Sequence, residues 1–247
     1  DRYAAYYSAS DYAKRQQEDA GKLVGIGIRA SKSESGFIQV NEVYPDSPAE
    51  DAQIKAGDLI VKVNDIDVTA DTYESAITEI GGQAGTKLSL TVRSDNKDRE
   101  IAEITRRVVV TPTIYSHMIG TTGYVKITDF NENTYDQFKK ALENLVGNQG
   151  AQSLIFDLRN NTGGLGDPAL KMLDMLLPEG VIATATYRDG STEVLGNSDA
   201  NCIDLPMAVL TNENAASAAE LFTQALRDYN VAKSVGTNTY GKGVMQV

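Results

Sequence analysis

Near the end of the chain a serine and a lysine, residue types able to act as nucleophile and base, stand at a telling interval. Ser217 lies between an apolar run, LPMAVL (205–210), and the segment SAAELFTQALRDY (217–229). The run reads as a buried strand. In the segment, Ala218, Leu221, Phe222, Ala225, Leu226 and Tyr229 recur at helical spacing. The serine therefore falls where a strand turns into a helix, a corner that lifts a hydroxyl out of the sheet edge. Helix-start amides lie beside such a corner, ready to hold developing negative charge. A serine hydroxyl is a poor nucleophile until a base takes its proton. Lys242 follows after the helical segment and the apolar VAKSVG, with Gly241 and Gly243 on either side. One helix and one return strand fit the interval from 217 to 242 and would bring the lysine back beside the serine. Lysine works as a base only where burial lowers its pKa from about 10.4 towards neutrality. The glycines allow a close backbone approach, and Tyr240, Val244 and Met245 are the expected apolar surroundings. Taken singly, Ser217 reads more readily as a helix cap and Lys242 as a solvated lysine in a glycine turn. The single histidine, His117, lies far upstream of the serine with no local feature joining them, and reads as a surface or interface residue.

The elements that must hold this pair have their own signals. GYVKITDF (123–130) alternates as a strand, and residues 134–146 form a helical pattern with Phe138, Leu142 and Leu145 on one face and Asn133 or Thr134 as cap. SLIFDLRNNTGG (153–164) then reads as a buried strand ending in a glycine-rich loop. Strand, helix and strand predict a βαβ unit and a mostly parallel sheet. The loop leads into a helix, DPALKMLDMLLP, with Asp167 as its cap and Pro168 in its first turn. Asp157 and Arg159 read as a structural pair. A surface hairpin is predicted over 187–199 with Asp189-Gly190 at its turn.

Earlier in the chain, SASDYAKRQQEDAGK reads as a charged surface helix capped by Ser8 or Ser10. From about Leu23 the pattern becomes strand-rich: LVGIGIRA, GFIQVNEVY, LIVKVNDIDV and KLSLTVRSD, with a short helix after Pro48 and a second over Tyr73 to Ile80. EITRRVVVTPT (103–113) reads as a strand-like link, with Arg106 and Arg107 as solvated positions on it.

Five stretches carry a resemblance to known families. AASAAE (215–220), Asp228-Tyr229 and VGTNTYGKGVMQ (235–246) resemble the signature of the carboxyl-terminal processing, or tail-specific, serine peptidases. DLRNNTGG (157–164) resembles the same family's DLRNNPGG, with Thr162 where the proline stands. Ser217 is the one hydroxyl left in its motif, because alanines replace the two outer serines. The resemblance implies Ser217 as nucleophile, Lys242 as base and Gln246 as the residue supporting the lysine. It also implies an oxyanion hole built from the amide of Gly163 or Gly164 and that of Ala218. SPAEDAQIKAGDLIVKVND (47–65) resembles the PDZ domain, which implies that Val24, Gly25, Ile26, Gly27 and Ile28 form a carboxylate-binding loop and its strand. Gly81-Gly82 departs from the Arg-Gly usual in the tail-specific peptidases.

The fold so implied is α/β: a tail-specific protease (ClpP/crotonase-like) catalytic domain preceded by a small PDZ-like β-barrel/α+β domain. The boundaries are an N-terminal helical segment over 1–22, the PDZ-like domain over 23–112 and the catalytic domain over 113–247, whose family counterparts continue further. The function implied is a serine endopeptidase cutting polypeptides chosen by their free C-termini. The competing reading is a non-catalytic scaffold that binds peptides through its PDZ-like domain. A homo-oligomer is compatible with either.

Composition bounds these readings. A net charge of −11 in 247 residues argues against a nucleic-acid or anionic-membrane surface. No apolar run approaches the length of a bilayer span, so no transmembrane helix is expected within the chain. Cys202 is the single cysteine and reads as a small packing residue. No metal or cofactor spacing is present. A start at Asp1, without Met or a signal peptide, reads as a fragment or a processed form. The family resemblance implies an extracytoplasmic protein, secreted or anchored by a segment outside this chain.

Overall fold

Apolar periods of two and of 3.6 residues sort the chain into strands and helices. A computed structural model describes residues 6–244, and they fall into two units: Asp1–Gly21 with Pro112–Val247, and Lys22–Thr111. Each has its own buried apolar cluster. The first helix, α1 (Ala9–Asp19), belongs to the former and is capped by Ser8, whose hydroxyl accepts the Asp11 N–H.

The Lys22–Thr111 unit begins with β1 (Lys22–Gly25), β2 (Ile28–Lys32) and β3 (Ile38–Val43), then α2 (Pro48–Asp51). Next come β4 (Leu59–Val63), β5 (Ile66–Asp67), α3 (Tyr73–Ile80), β6 (Lys87–Ser94), β7 (Lys97–Thr105) and β8 (Arg107–Val110). Six strands form one antiparallel sheet in the order β2-β3-β4-β6-β7, with β5 on β4. The single strand expected over LIVKVNDIDV is two, because Asn64 adopts φ +50° and turns the chain back. Asparagine tolerates that conformation, and its side-chain oxygen accepts the Ser89 N–H.

The stretch expected to link the domains is instead built into this unit. Glu103 to Thr105 finish β7, and β8 pairs antiparallel with β1, Lys22 opposite Val110. The two arginines separate accordingly. Arg107 is exposed and pairs with Asp51 at 2.8 Å. Arg106 is 5 % exposed, contrary to the solvated position expected of it. Its guanidinium donates to the carbonyls of Glu79, Ile80 and Lys87 and to the Thr86 hydroxyl. Backbone carbonyls thus replace the water that a buried cation needs. Arg106→Ala strands those acceptors and is expected to lower stability by about 2–4 kcal/mol. The check is urea denaturation, in which the transition of this unit moves to lower urea.

The other unit holds β9 (Ile114–Ile119), β10 (Thr122–Ile127), α4 (Thr134–Leu142) and β11 (Ser153–Asp157). It continues with α5 (Gly166–Asp174), the hairpin β12 (Gly180–Thr186) and β13 (Thr192–Ser198), then β14 (Met207–Thr211), α6 (Ala218–Asp228) and β15 (Ala232–Gly236). The central sheet runs β15-β14-β11-β10-β9, parallel throughout except for β9, as the strand–helix–strand pattern predicts. The helix expected to reach Val146 is α-helical to Leu142 and continues as a π-helical turn, Glu143–Asn148. Leu165, not Asp167, occupies the N-cap of α5, and Asp167 sits in its first turn, where negative charge still suits the helix dipole. The hairpin starts at Gly180, ahead of the Tyr187 expected. Phe130, Phe138, Phe156 and Phe222 meet at ring separations of 5.7–6.3 Å, all at most 1 % exposed. Through Phe222 this cluster fixes α6, and with it the corner that precedes α6. No helix among the described residues is long and apolar enough to cross a membrane.

Candidate active site

Ser217 ends the loop after β14 and immediately precedes α6. Its backbone is held at φ +56°, ψ −118°, which non-glycine residues populate rarely and at a cost of order 1–3 kcal/mol. The surroundings enforce that strain. Ala215 donates to the Asn212 carbonyl, Ala216 to the Asn161 carbonyl at 3.0 Å, and the Ser217 N–H to the Glu220 carboxylate at 2.8 Å. Asn160 ties the glycine loop to the same segment, its side-chain oxygen accepting from the amides of Asn212 and Asn214.

The glycine loop closes against the serine. Gly163 and Gly164 have φ +107° and +124°, and a Cβ on Gly163 would lie 2.7 Å from the Ser217 Cβ and 3.0 Å from the Ala218 nitrogen. The two glycine amides are used differently. Gly163 gives its N–H to the Asn161 side-chain oxygen at 2.8 Å, while Gly164 is exposed and lines a cavity of about 2180 Å³. Ser217, Ala218, Glu220 and Lys242 line the same cavity. So do Arg15 and Asp19 of α1, a helix in which the sequence signalled no chemistry.

Sequence reasoning gave Glu220 no role beyond its place in a motif. In the structure it joins the two halves of the site. One carboxylate oxygen, Oε2, accepts the backbone N–H of Ser217 at 2.8 Å and that of Lys242 at 3.0 Å. The backbones of Ser217 and Lys242 therefore meet on a single atom. The other oxygen accepts the Gly241 N–H at 2.6 Å and the Thr239 hydroxyl at 2.8 Å. Burial pushes the Glu220 carboxyl up, but hydrogen bonds from Thr239, Gly241, Lys242 and Ser217 outweigh it and hold the group below its ordinary range. A capping-box glutamate is a readable signal, since Ser217 and Glu220 have the required spacing.

Because the folded pKa is depressed, the charge on Glu220 stabilises the fold above the ordinary value of 4.5 and ceases to as pH falls through the lowered folded value. Glu220→Gln, which turns an amide towards four donors, is expected to melt lower than the parent at pH 7. The difference should shrink as the pH is taken below 4.5, and paired thermal melts at pH 7 and pH 3.5 check it.

His117 lies on β9, at the sheet edge opposite β15, with its ring 4.9 Å from that of Tyr124. Asp157 is buried and bonds both the Arg159 guanidinium, at 2.6 Å, and the Tyr124 hydroxyl, the structural pair expected. The apolar wrapping expected around Lys242 is not supplied by Tyr240 and Val244, which are 52 % and 54 % exposed. Lys242 itself is half-buried. Gln246 and Met245 lie outside the described residues. No group of three or more His, Cys, Asp or Glu side chains that could hold a metal occurs among the described residues.

In the other unit, Val24 and Gly25 end β1, and Ile26 and Gly27 lie between the strands. Ile28 opens β2. Ile26 is buried, its carbonyl accepts the Ala49 N–H, and Gly27 at φ +78° packs where a Cβ would meet Ser47 at 2.3 Å. Strand β2 stands at the end of its sheet order, so one of its edges is open for an added strand.

Residues 121–247, just over half of the chain, match peptidase family S41. The chain belongs to peptidase family S41. Upstream of its S41 segment, residues 39–94 match the PDZ domain. The chain is 32 % identical over 249 residues to a probable CtpA-like serine protease of Staphylococcus epidermidis, covering 100 % of this chain and 50 % of that protein. A probable CtpA-like serine protease of Staphylococcus aureus is 31 % identical with the same coverage. The chain thus spans about half the length of the curated relatives it matches. Among solved structures it resembles a photosystem II D1 C-terminal processing protease, with TM-score 0.56 and 26 % identity over 100 % of this chain and 69 % of that one. A putative S41 protease from Bacteroides fragilis shares the fold, with TM-score 0.57 and 20 % identity over 96 % of this chain and 74 % of that one.

Proposed function

We propose that the protein is a serine endopeptidase that works through a Ser217–Lys242 dyad on polypeptides held by their free C-termini. The observation that carries this reading is the shared Glu220 oxygen, which holds the backbone amides of serine and lysine on one acceptor beside the glycine loop. In the reaction the Ser217 Oγ attacks the scissile carbonyl carbon while Lys242 Nζ takes the hydroxyl proton. The amides of Ala218 and Gly164 hold the oxyanion, Gly163 having given its own to Asn161. Lys242 returns the proton to the leaving amine, and water then hydrolyses the acyl-enzyme. Gln246 supports the lysine. The PDZ-like unit holds the substrate's terminal carboxylate on the amides of the Val24–Ile28 stretch, with the peptide added beside β2.

The test uses an unstructured polypeptide made with a free and with an amidated C-terminus, digested by the intact protein. At least tenfold faster cleavage of the free form supports tail selection, and equal rates overturn it. Binding of the free form with no cleavage by the parent would instead favour the scaffold.

A further inference from the structure

We propose that Asn161 is a positioning residue for this reaction, setting which glycine amide is left to meet the oxyanion; the inference rests on the peptidase reading above. Asn161 is fully buried, and it touches three separate stretches of chain. Its Nδ2 donates to the Ile127 carbonyl at the end of β10, 2.9 Å away. Its Oδ1 accepts the Gly163 N–H at 2.8 Å, and its backbone carbonyl accepts the Ala216 N–H at 3.0 Å, one residue before the nucleophile. The central sheet, the glycine loop and the serine corner are therefore pinned by one side chain and its own peptide.

The consequence for Gly164 follows from the connectivity. Holding the Gly163 amide inward fixes the peptide plane before Gly163, and the Gly163 carbonyl is fixed in turn by the Phe130 N–H at 3.0 Å. With both sides of Gly163 tied, the peptide that carries the Gly164 N–H has no freedom to turn. The Gly164 Cα is pressed so closely on the Phe130 carbonyl that a Cβ there would approach it to 2.2 Å. A preorganised donor costs no reorganisation when the charge develops. Without the Asn161 carboxamide, the Gly163 amide loses its buried acceptor, and the loop is released at two positions of positive φ.

The experiment compares Asn161→Ala and Asn161→Asp with the parent and with Ser217→Ala, all in the intact protein. Rates on a peptide substrate are expressed per mole of folded protein, counted by calorimetric unfolding. Asn161→Ala is expected to lower kcat about 100-fold, the scale of one lost oxyanion donor, with KM changed less than threefold. Asn161→Asp gives a readout that damage to the fold alone would not. When protonated, its carboxyl can donate to the Ile127 carbonyl and accept from Gly163, as asparagine does. When ionised it has no donor and sets negative charge against a carbonyl oxygen. Its kcat relative to the parent should therefore rise at least fivefold as pH falls from 8 to 6, burial having raised the carboxyl's pKa. Asp129, Asp157, Arg159, Glu220 and Lys242 around the loop are common to both proteins and drop out of the ratio.

A kcat for folded Asn161→Ala within threefold of the parent overturns the proposal, as does a pH-independent ratio for Asn161→Asp. If Asn161→Ala fails to fold, the aspartate variant decides alone. Failure of the underlying peptidase reading looks different, because the parent and Ser217→Ala would then be indistinguishable.

Discussion

Ser217→Ala is expected to lower kcat/KM by about 10⁴–10⁶-fold, and Lys242→Ala by a similar factor. The two side chains act as a unit in this reading. Removing the hydroxyl leaves the lysine nothing to deprotonate, and removing the amine leaves a hydroxyl with no base. The double variant should therefore be no slower than the worse single variant, whereas independent contributions would multiply. Measuring kcat/KM for the two singles and the double settles the matter, and a double variant slower by the product of both factors would sink the dyad. Strain gives an independent handle. Alanine at 217 keeps the Cβ that makes φ +56° costly, whereas glycine removes it. Ser217→Gly should be as inactive as Ser217→Ala yet more stable by about 1 kcal/mol in chemical denaturation. Equal stability of the two would mean that the corner stores no usable strain.

Gly163→Ala is the second large effect, and it arises without removing a reacting group. Its new methyl would meet the Ser217 Cβ at 2.7 Å and the Ala216 carbonyl at 2.8 Å, on a residue whose φ is +107°. Neither neighbour is the end of a flexible side chain, so the loop and the serine corner must part. We expect at least a 100-fold fall in kcat/KM and a loss of about 2–4 kcal/mol. Gly120→Ala separates strain from collision, since Gly120 also has positive φ, +62°, but open space around it. That control should cost about 1 kcal/mol and leave kcat/KM unchanged. A Gly163→Ala protein as active as the Gly120→Ala protein would show that the loop does not need to sit against the serine.

The residues that sequence reading located share a property that those it missed lack. Apolar period reports which face of an element is buried, so α3, the parallel sheet and the helix behind Ser217 were legible. Position in a strand-to-helix corner exposed Ser217 for the same reason. Hydrogen bonds to backbone groups leave no periodic trace. Arg106 reads as solvated because nothing in its neighbourhood announces that the end of α3 supplies carbonyls from 26 and 27 residues away. Glu220 was visible as a motif letter in capping-box spacing and Asn161 as a motif letter alone, because their other partners, Thr239 to Lys242 for the one and Ile127 and Ala216 for the other, come from distant segments. The first strand of the hairpin was missed because VIATAT alternates small residues, whose burial contrast is weak. The surroundings of Lys242 failed in the opposite direction, since adjacent apolar side chains in a loop turned by Gly241 and Gly243, both at positive φ, need not face their neighbour.

The pairing of β1 with β8 has a consequence for the order of folding. Asn133 holds the Gly21 carbonyl across a sequence separation of 112 residues, a long loop to close for a single docking helix. Most of that loop is the Lys22–Thr111 unit, whose ends meet where Lys22 lies opposite Val110. Once that unit is formed, the effective loop shrinks to roughly two dozen residues, easing closure by about 1.4 kcal/mol on a logarithmic length dependence. The inserted unit thus acts as an entropic clasp: its own folding, complete within residues 22–111, prepares the return of α1 to the cavity wall that carries Arg15 and Asp19.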